Sequence, residues 1–160
     1  MMNQKREAEV WNRVMAASAE APCCAPKKDP IKLTCQQVME LLEQELMDAC
    51  TYKVLAMRVK KSVRQCLMQL AQEEMRHFRK LEAVYYLMTG KRPCPDKPKA
   101  PCVACTNEEL RKRYEEEVEG AAVYHGLANC AGSFAPVFHC LGHDEERHAQ
   151  TILNLLQKCL

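Results

Sequence analysis

Apolar residues recur at helical spacing in four stretches of the chain. The first stripe runs Val38, Leu41, Leu42, Ala49, Tyr52, Ala56 and Val59, and the second Leu67, Leu70, Ala71, Phe78, Leu81 and Tyr85. The third holds Leu110, Tyr114, Ala121, Tyr124 and Ala128, the fourth Phe138, Leu141, Ile152 and Leu155. Start and stop signals bound each stripe. Thr34, with Leu33 before it and Gln37 three later, predicts a capping box that opens helix one. That helix, at about 27 residues, would be roughly 40 Å long. Ser62 with Gln65 predicts a second capping box, and Gly90 a glycine stop. Thr106 with Glu109 caps helix three, and Gly132, Ser133 and Pro136 break the chain before helix four.

Two of the three connections are short, as between antiparallel neighbours. The third, residues 91–105, holds four prolines and three cysteines and excludes regular helix. A link of that length can cross the whole bundle. The expected fold is therefore all-α: a four-helix bundle over residues 34–160, with one long crossover between helices two and three. Residues 1–33 read as a leader, with a short amphipathic helix around Val10, Trp11 and Val14 and then a linker.

Composition narrows the classes. A hydrophobic share of 48% supports a real core and excludes general disorder. Lysine and arginine number 23 against 21 acids, a balance that argues against a dedicated nucleic-acid or membrane surface. No apolar run reaches the roughly 18 residues of a membrane span. The first residues lack the apolar core of a signal peptide, so a cytoplasmic location is expected. Eleven cysteines cannot all pair within one chain, and reduced thiols are the expectation.

The informative residues interrupt the apolar stripes. Helix two carries Glu74-Met75-Arg76-His77 and helix four Glu145-Glu146-Arg147-His148. In a helix, Glu-x-x-His sets both side chains on one face, here the apolar one. Helices one and three each place one acid in the same setting, Glu45 and Glu117. The halves also repeat. Glu45, Ala49, Tyr52, Leu55 and Ala56 recur as Glu117, Ala121, Tyr124, Leu127 and Ala128, at a constant shift of 72. Glu74 and His77 recur as Glu145 and His148, at a shift of 71. A helix pair has been used twice.

Four carboxylates and two imidazoles in a core are costly unless neutralised. Two divalent cations would neutralise them, and a mixed Glu/His shell suits iron or manganese better than a structural zinc. One Glu from each of two helices and Glu-x-x-His from the other two is the ligand set of di-iron and di-manganese carboxylate bundles. Glu73, Glu115, Glu116, Glu119 and Glu146 are expected to be solvated.

On Glu45…Tyr52, Glu74-x-x-His77, Glu117…Tyr124 and Glu145-x-x-His148, residues 34–160 resemble the rubrerythrin branch of the ferritin-like superfamily. The resemblance implies two iron ions, with manganese or zinc as alternatives, held by Glu45, Glu74, His77, Glu117, Glu145 and His148. It implies reduction of hydrogen peroxide or dioxygen in oxidative-stress defence, and a homodimer. Tyr52 and Tyr124 would steady the carboxylates, although both also fit as packing residues whose hydroxyls find any partner. The family's rubredoxin domain has no counterpart after His148, so electrons would come from a separate donor such as rubredoxin. The family's extra glutamate, three residues after the helix-three ligand, is replaced by Gly120. Its equivalent in the first half is Asp48, either a carboxylate moved across the repeat to join the catalytic set or a solvated residue.

Two other functions stay open on the residues alone: an iron-binding or ferroxidase protein without peroxide turnover, and a structural metal-binding bundle. Cys102-x-x-Cys105, with Cys94 nearby, reads as a redox dithiol or, with Cys23 and Cys24, as a metal site.

Overall fold

The computed structural model describes residues 32–159, all helix and connecting loop. The expected leader helix lies outside the described residues. Four long helices follow in order: α1 Cys35–Ala56, α2 Lys61–Thr89, α3 Thr106–Ala128 and α4 Ala135–Cys159, the last entered through a 3-10 turn at Gly132–Phe134. No described helix is long and apolar enough to cross a membrane.

The ends of the helices show where local chemistry decided. The Thr34 capping box forms: the Gln37 amide donates to Thr34 Oγ1 at 3.2 Å and the Thr34 amide to Gln37 Oε1 at 2.9 Å. Helix α1 is 22 residues long and ends at Ala56, short of the expected 27. The Arg64 side chain explains the early stop: its Nε donates to the Ala56 carbonyl at 3.0 Å, satisfying an end that further helix would otherwise have to satisfy. The Ser62 capping box does not form. Lys60 is the N-cap of α2, with no side-chain bond, and its carbonyl accepts from Arg64 N at 2.9 Å. Gly90 ends α2 in the left-handed region at φ 69°, as expected of a glycine stop. Thr106 is the first residue of α3, not its cap. Cys105 takes the N-cap position, and Glu108 and Glu109 in the first turn favour the positive end of the helix dipole.

Two apolar clusters flank a polar layer. One holds Val38 and Leu42 of α1, Leu81 and Val84 of α2, Tyr124 and Ala128 of α3, and Phe138 and Leu141 of α4. The other holds Tyr52 and Leu55, then Leu67 and Leu70, then Leu110, then Ile152 and Leu155. Helix α1 thus runs from the first cluster to the second, α2 and α3 from the second to the first, and α4 back again. Because α2 and α3 run the same way, the link between them must return along the bundle, which its length allows. Buried Val103, near its end, belongs to the second cluster, and the Asp96 amide donates to Glu43 of α1 at 3.3 Å on the way. The pairs α1–α2 and α3–α4 make the closest packing.

Candidate metal centre

Between the clusters, at mid-height on all four helices, lie Glu45, Glu74, His77, Glu117, Glu145 and His148, each at most 5% exposed. The helical repeat sets them there: each acid falls in register with the apolar stripe that faces the bundle axis. Glu74, His77, Glu145 and His148 form a compact group of donor atoms that could hold a metal ion. The rings of His77 and His148 are stacked, 5.2 Å apart.

The distances have a reciprocal pattern. His77 Nδ1 stands 3.0 Å from Glu74 Oε2, 3.0 Å from Glu145 Oε1 and 3.4 Å from Glu45 Oε2. His148 Nδ1 stands 3.0 Å from Glu74 Oε1, 3.4 Å from Glu145 Oε2 and 3.4 Å from Glu117 Oε2. Glu74 and Glu145 each present one oxygen to each imidazole, while Glu45 and Glu117 each serve one. Donor atoms bound to one ion at about 2.0–2.2 Å stand about 3.0–3.4 Å apart, which is the spacing found.

The polar atoms in the middle also lack partners. His77 Nδ1, His148 Nδ1, Glu74 Oε1 and Glu117 Oε2 are buried without a hydrogen bond. Buried polar atoms left unpaired are costly, and these four converge on the same space. The residues therefore fit a bound metal cation.

The outer face of each imidazole is tied down. His77 Nε2 lies 3.2 Å from Asp144 Oδ2, and His148 Nε2 lies 2.8 Å from Glu73 Oε2. Such bonds place the Nε2 proton outward and leave Nδ1 free to bind metal. Glu73 was expected in solvent. Instead it lies against the other half's histidine, and Gln69 at 3.1 Å and Arg76 at 3.0 Å hold its other oxygen. Asp144, held by Lys80 at 3.2 Å and Arg147 at 2.8 Å, was missed entirely. The signal was present in the repeat: an acid directly precedes the glutamate in both motifs, Glu73-Glu74 and Asp144-Glu145.

Tyr52 and Tyr124 are buried and bond the carboxylates. Tyr52 donates to Glu117 Oε1 and Tyr124 to Glu45 Oε1, so each tyrosine holds the acid of the other half. Burial, then the neighbouring carboxylates, holds both phenols well above their ordinary range, so they are donors.

The electrostatics follow from crowding. Burial first, then the Glu145 carboxyl, pushes Glu117 up to about 7 against the pull of His148. Burial raises Glu45 well above the carboxylate range despite the opposing His77. For Glu145, burial works upward but is outweighed by Glu117, His148 and His77, and its carboxyl lies below its usual range. Burial disfavours a charged His77, yet the surrounding Glu145, Glu45 and Glu74 push it up to about 12. The same balance raises His148.

Asp48 is neither a central group nor solvated. It pairs with Arg113, buried on α3, and accepts from Gln44 Nε2 at 2.9 Å. Burial pushes its carboxyl up to about 7 although Arg113 pulls it down. Asp48 lines a cavity of about 310 Å³ between α1 and α3, together with Glu45, Glu117, Gly120, Tyr124 and Glu145. Arg113 had no place in the sequence reading; its position one turn before Glu117 was the available clue. Glu116 is only half-exposed, pairing with Arg113, whereas Glu115, Glu119 and Glu146 are exposed as expected.

Cys94, Cys102 and Cys105 are exposed, without disulfides, and no cysteine belongs to a candidate metal cluster among the described residues. Cys23 and Cys24 lie outside the described residues. Comparison of the chain with protein-family models, with curated proteins and with solved structures gave no match.

Proposed function

We propose that the chain is a ferritin-like, rubrerythrin-type oxidoreductase that holds two iron ions and reduces hydrogen peroxide or dioxygen with electrons from a separate donor. The observation that carries the reading is the reciprocal site, in which Glu74 and Glu145 each face both imidazoles while Glu45 and Glu117 close the two ends. A structural zinc would call for one closed tetrahedral set, often with cysteine. Six donors arranged in two equivalent halves suit a pair of ions instead. The up-down-down-up order, with its long crossover, also agrees with a ferritin-like arrangement.

Bound iron would pass on the donor's electrons and supply Lewis acidity for O–O cleavage. The chain's own residues do the rest. Asp144 and Glu73 orient His77 and His148, and Tyr52 and Tyr124 fix the terminal glutamates. The cavity beside Gly120 gives a small molecule access to Glu45, Glu117 and Glu145. Asp48, on the wall of that cavity, is the group placed to hand over a proton.

Steady-state peroxide consumption by the iron-loaded protein, with an artificial electron donor, tests the reading. Turnover that scales with bound iron and is lost in Glu74→Ala is expected. Two bound irons without turnover would remove peroxide reduction and leave iron handling as the function.

A further inference from the structure

Three of the chain's five histidines lie away from the core centre, and they gather on the outer surface of α3 and α4. His125 projects from α3, and His139 and His143 from successive turns of α4. The ring centroids of His125 and His143 are 5.0 Å apart, those of His125 and His139 5.9 Å. Glu146 stands between two of them: its Oε1 lies 3.1 Å from His125 Nε2 and its Oε2 lies 3.0 Å from His143 Nδ1. One donor atom from each of His125, His143 and Glu146 lies within 4.8 Å of the other two, close enough that the group could hold a metal ion.

The backbone is shaped to hold this cluster. Gly142 lies under the His125 ring, and a Cβ at that position would come within 2.7 Å of ring atom Cε1. No real Cβ sits so close, so the imidazole occupies its place only because residue 142 has no side chain. The repeat supplies independent support. Positions equivalent to His125, His139, Gly142, His143 and Glu146 in the first half are Lys53, Met68, Ala71, Gln72 and Met75. The core ligands are duplicated, but every member of this cluster differs from its counterpart. The cluster is thus a separate addition to the second half and does not follow from the core site's symmetry.

We propose that His125, His143 and Glu146 form a surface site for a divalent transition metal of the zinc type. The donor set is two imidazoles and one carboxylate, which suits a borderline cation such as Zn²⁺ and not Ca²⁺ or Mg²⁺. In a tetrahedral site with bonds of about 2.0–2.1 Å, donor atoms stand about 3.3 Å apart. The two imidazoles now face different oxygens of Glu146, at 3.1 and 3.0 Å, and donor atoms within 4.8 Å of one another would have to close onto the ion by side-chain rotation. The site is open to solvent on one side, where His125 and Glu146 also line a shallow groove with Ala121, Ala122 and Ala149. An ion held there is exchangeable and independent of the core pair.

The experiment is a Zn²⁺ titration of the full chain with ¹⁵N-labelled histidine, read by ring-nitrogen shifts and by zinc content after gel filtration. Core site and thiols are common to all variants, so the difference from the parent chain is what counts. The ring nitrogens of His125 and His143 should move together as zinc is added, and His125→Ala/His143→Ala should retain one zinc fewer per chain. Gly142→Ala, which removes no ligand, should weaken binding by displacing the His125 ring. Glu146→Gln, which keeps size and helix propensity, should lower affinity without changing helical content. Unmoved ring nitrogens at saturating zinc, or equal zinc content in parent and double variant, would overturn the proposal.

Discussion

Tyr52 of α1 donates its hydroxyl to Glu117 of α3, a residue 65 positions later and in the other half of the repeat. The bond has a mirror in Tyr124 and Glu45. The outward bonds of the imidazoles cross the same way, His77 to Asp144 and His148 to Glu73. Each helix hairpin therefore supplies ligands to the centre and supports for the other hairpin's ligands. Neither hairpin builds a complete half-site alone, so the site's formation is coupled to the docking of the two.

Removing one tyrosine hydroxyl tests that coupling. Tyr52→Phe leaves Glu117 Oε1 buried without its donor, and a hydrogen bond to a charged group is worth about 1.5–3 kcal/mol. The variant should keep its helical content and lose metal affinity at the Glu117 end, by about tenfold or more. Competition with a calibrated chelator measures the loss. Unchanged affinity would reduce Tyr52 to a packing residue.

The imidazole supports make a second case. Glu73→Gln and Asp144→Asn preserve shape but remove the charge that faces His148 and His77. Each should weaken metal retention by about 10–100-fold, the usual effect of losing such a partner. Glu115→Gln, on an exposed residue of α3, should have none. Elemental analysis after dialysis against a weak chelator separates the outcomes.

How much of this was legible beforehand depended on periodicity. The stripes located all four helices, and their interruption by Glu45, Glu74, His77, Glu117, Glu145 and His148 picked out polar residues that lie buried between the apolar clusters, because burial follows helical register. The boundaries were less readable. Ser62 and Thr106 looked like caps, but Lys60 and Cys105 take the N-cap positions without side-chain bonds, and Arg64 reaching back to Ala56 marks the early end of α1. Glu73 looked solvated because it lies off the apolar stripe. Its partner is on a helix 75 residues away in sequence, and no local pattern encodes that. The surface histidines were missed because His125 meets His143 and Glu146 only across two helices.

Protonation links the centre to stability in a direction that can be checked. His77 is raised from its ordinary 6.5 to about 12 by its carboxylates, so without metal its contribution is full below 6.5 and fades as pH rises toward about 12. Glu117, raised to about 7, acts in the same sense: its contribution is present at acid pH and lost as pH rises through about 7. The metal-free protein should therefore melt at lower temperature as pH rises from about 5 to about 9. Metal binding must displace the same protons, so the loaded protein should gain most from metal at the alkaline end. Melting curves with and without chelator across that range give both slopes. Parallel curves would mean that the imidazoles reach solvent.

Asp48 and Arg113 mark the place where the repeat is broken in a matched way. The counterpart of Asp48 is Gly120 and that of Arg113 is Leu41, so neither partner of the ion pair exists in the other orientation. The pair exists on one side only, where Asp48 and Gly120 line the same cavity. Burial pushes Asp48 up to about 7 despite Arg113, and a carboxyl at that value can give and regain a proton near neutrality. Asp48→Asn keeps the side-chain volume and one acceptor oxygen for Gln44 or Arg113, but removes the charge and the titrating proton. Metal content should stay the same, while turnover falls by about 10²-fold and its pH profile loses the limb near 7. Arg113→Met is the companion variant. It removes the charge that lowers Asp48, so the same limb should move to higher pH while the metal content again holds. A pH profile unchanged in both variants would make the pair a structural bridge between α1 and α3.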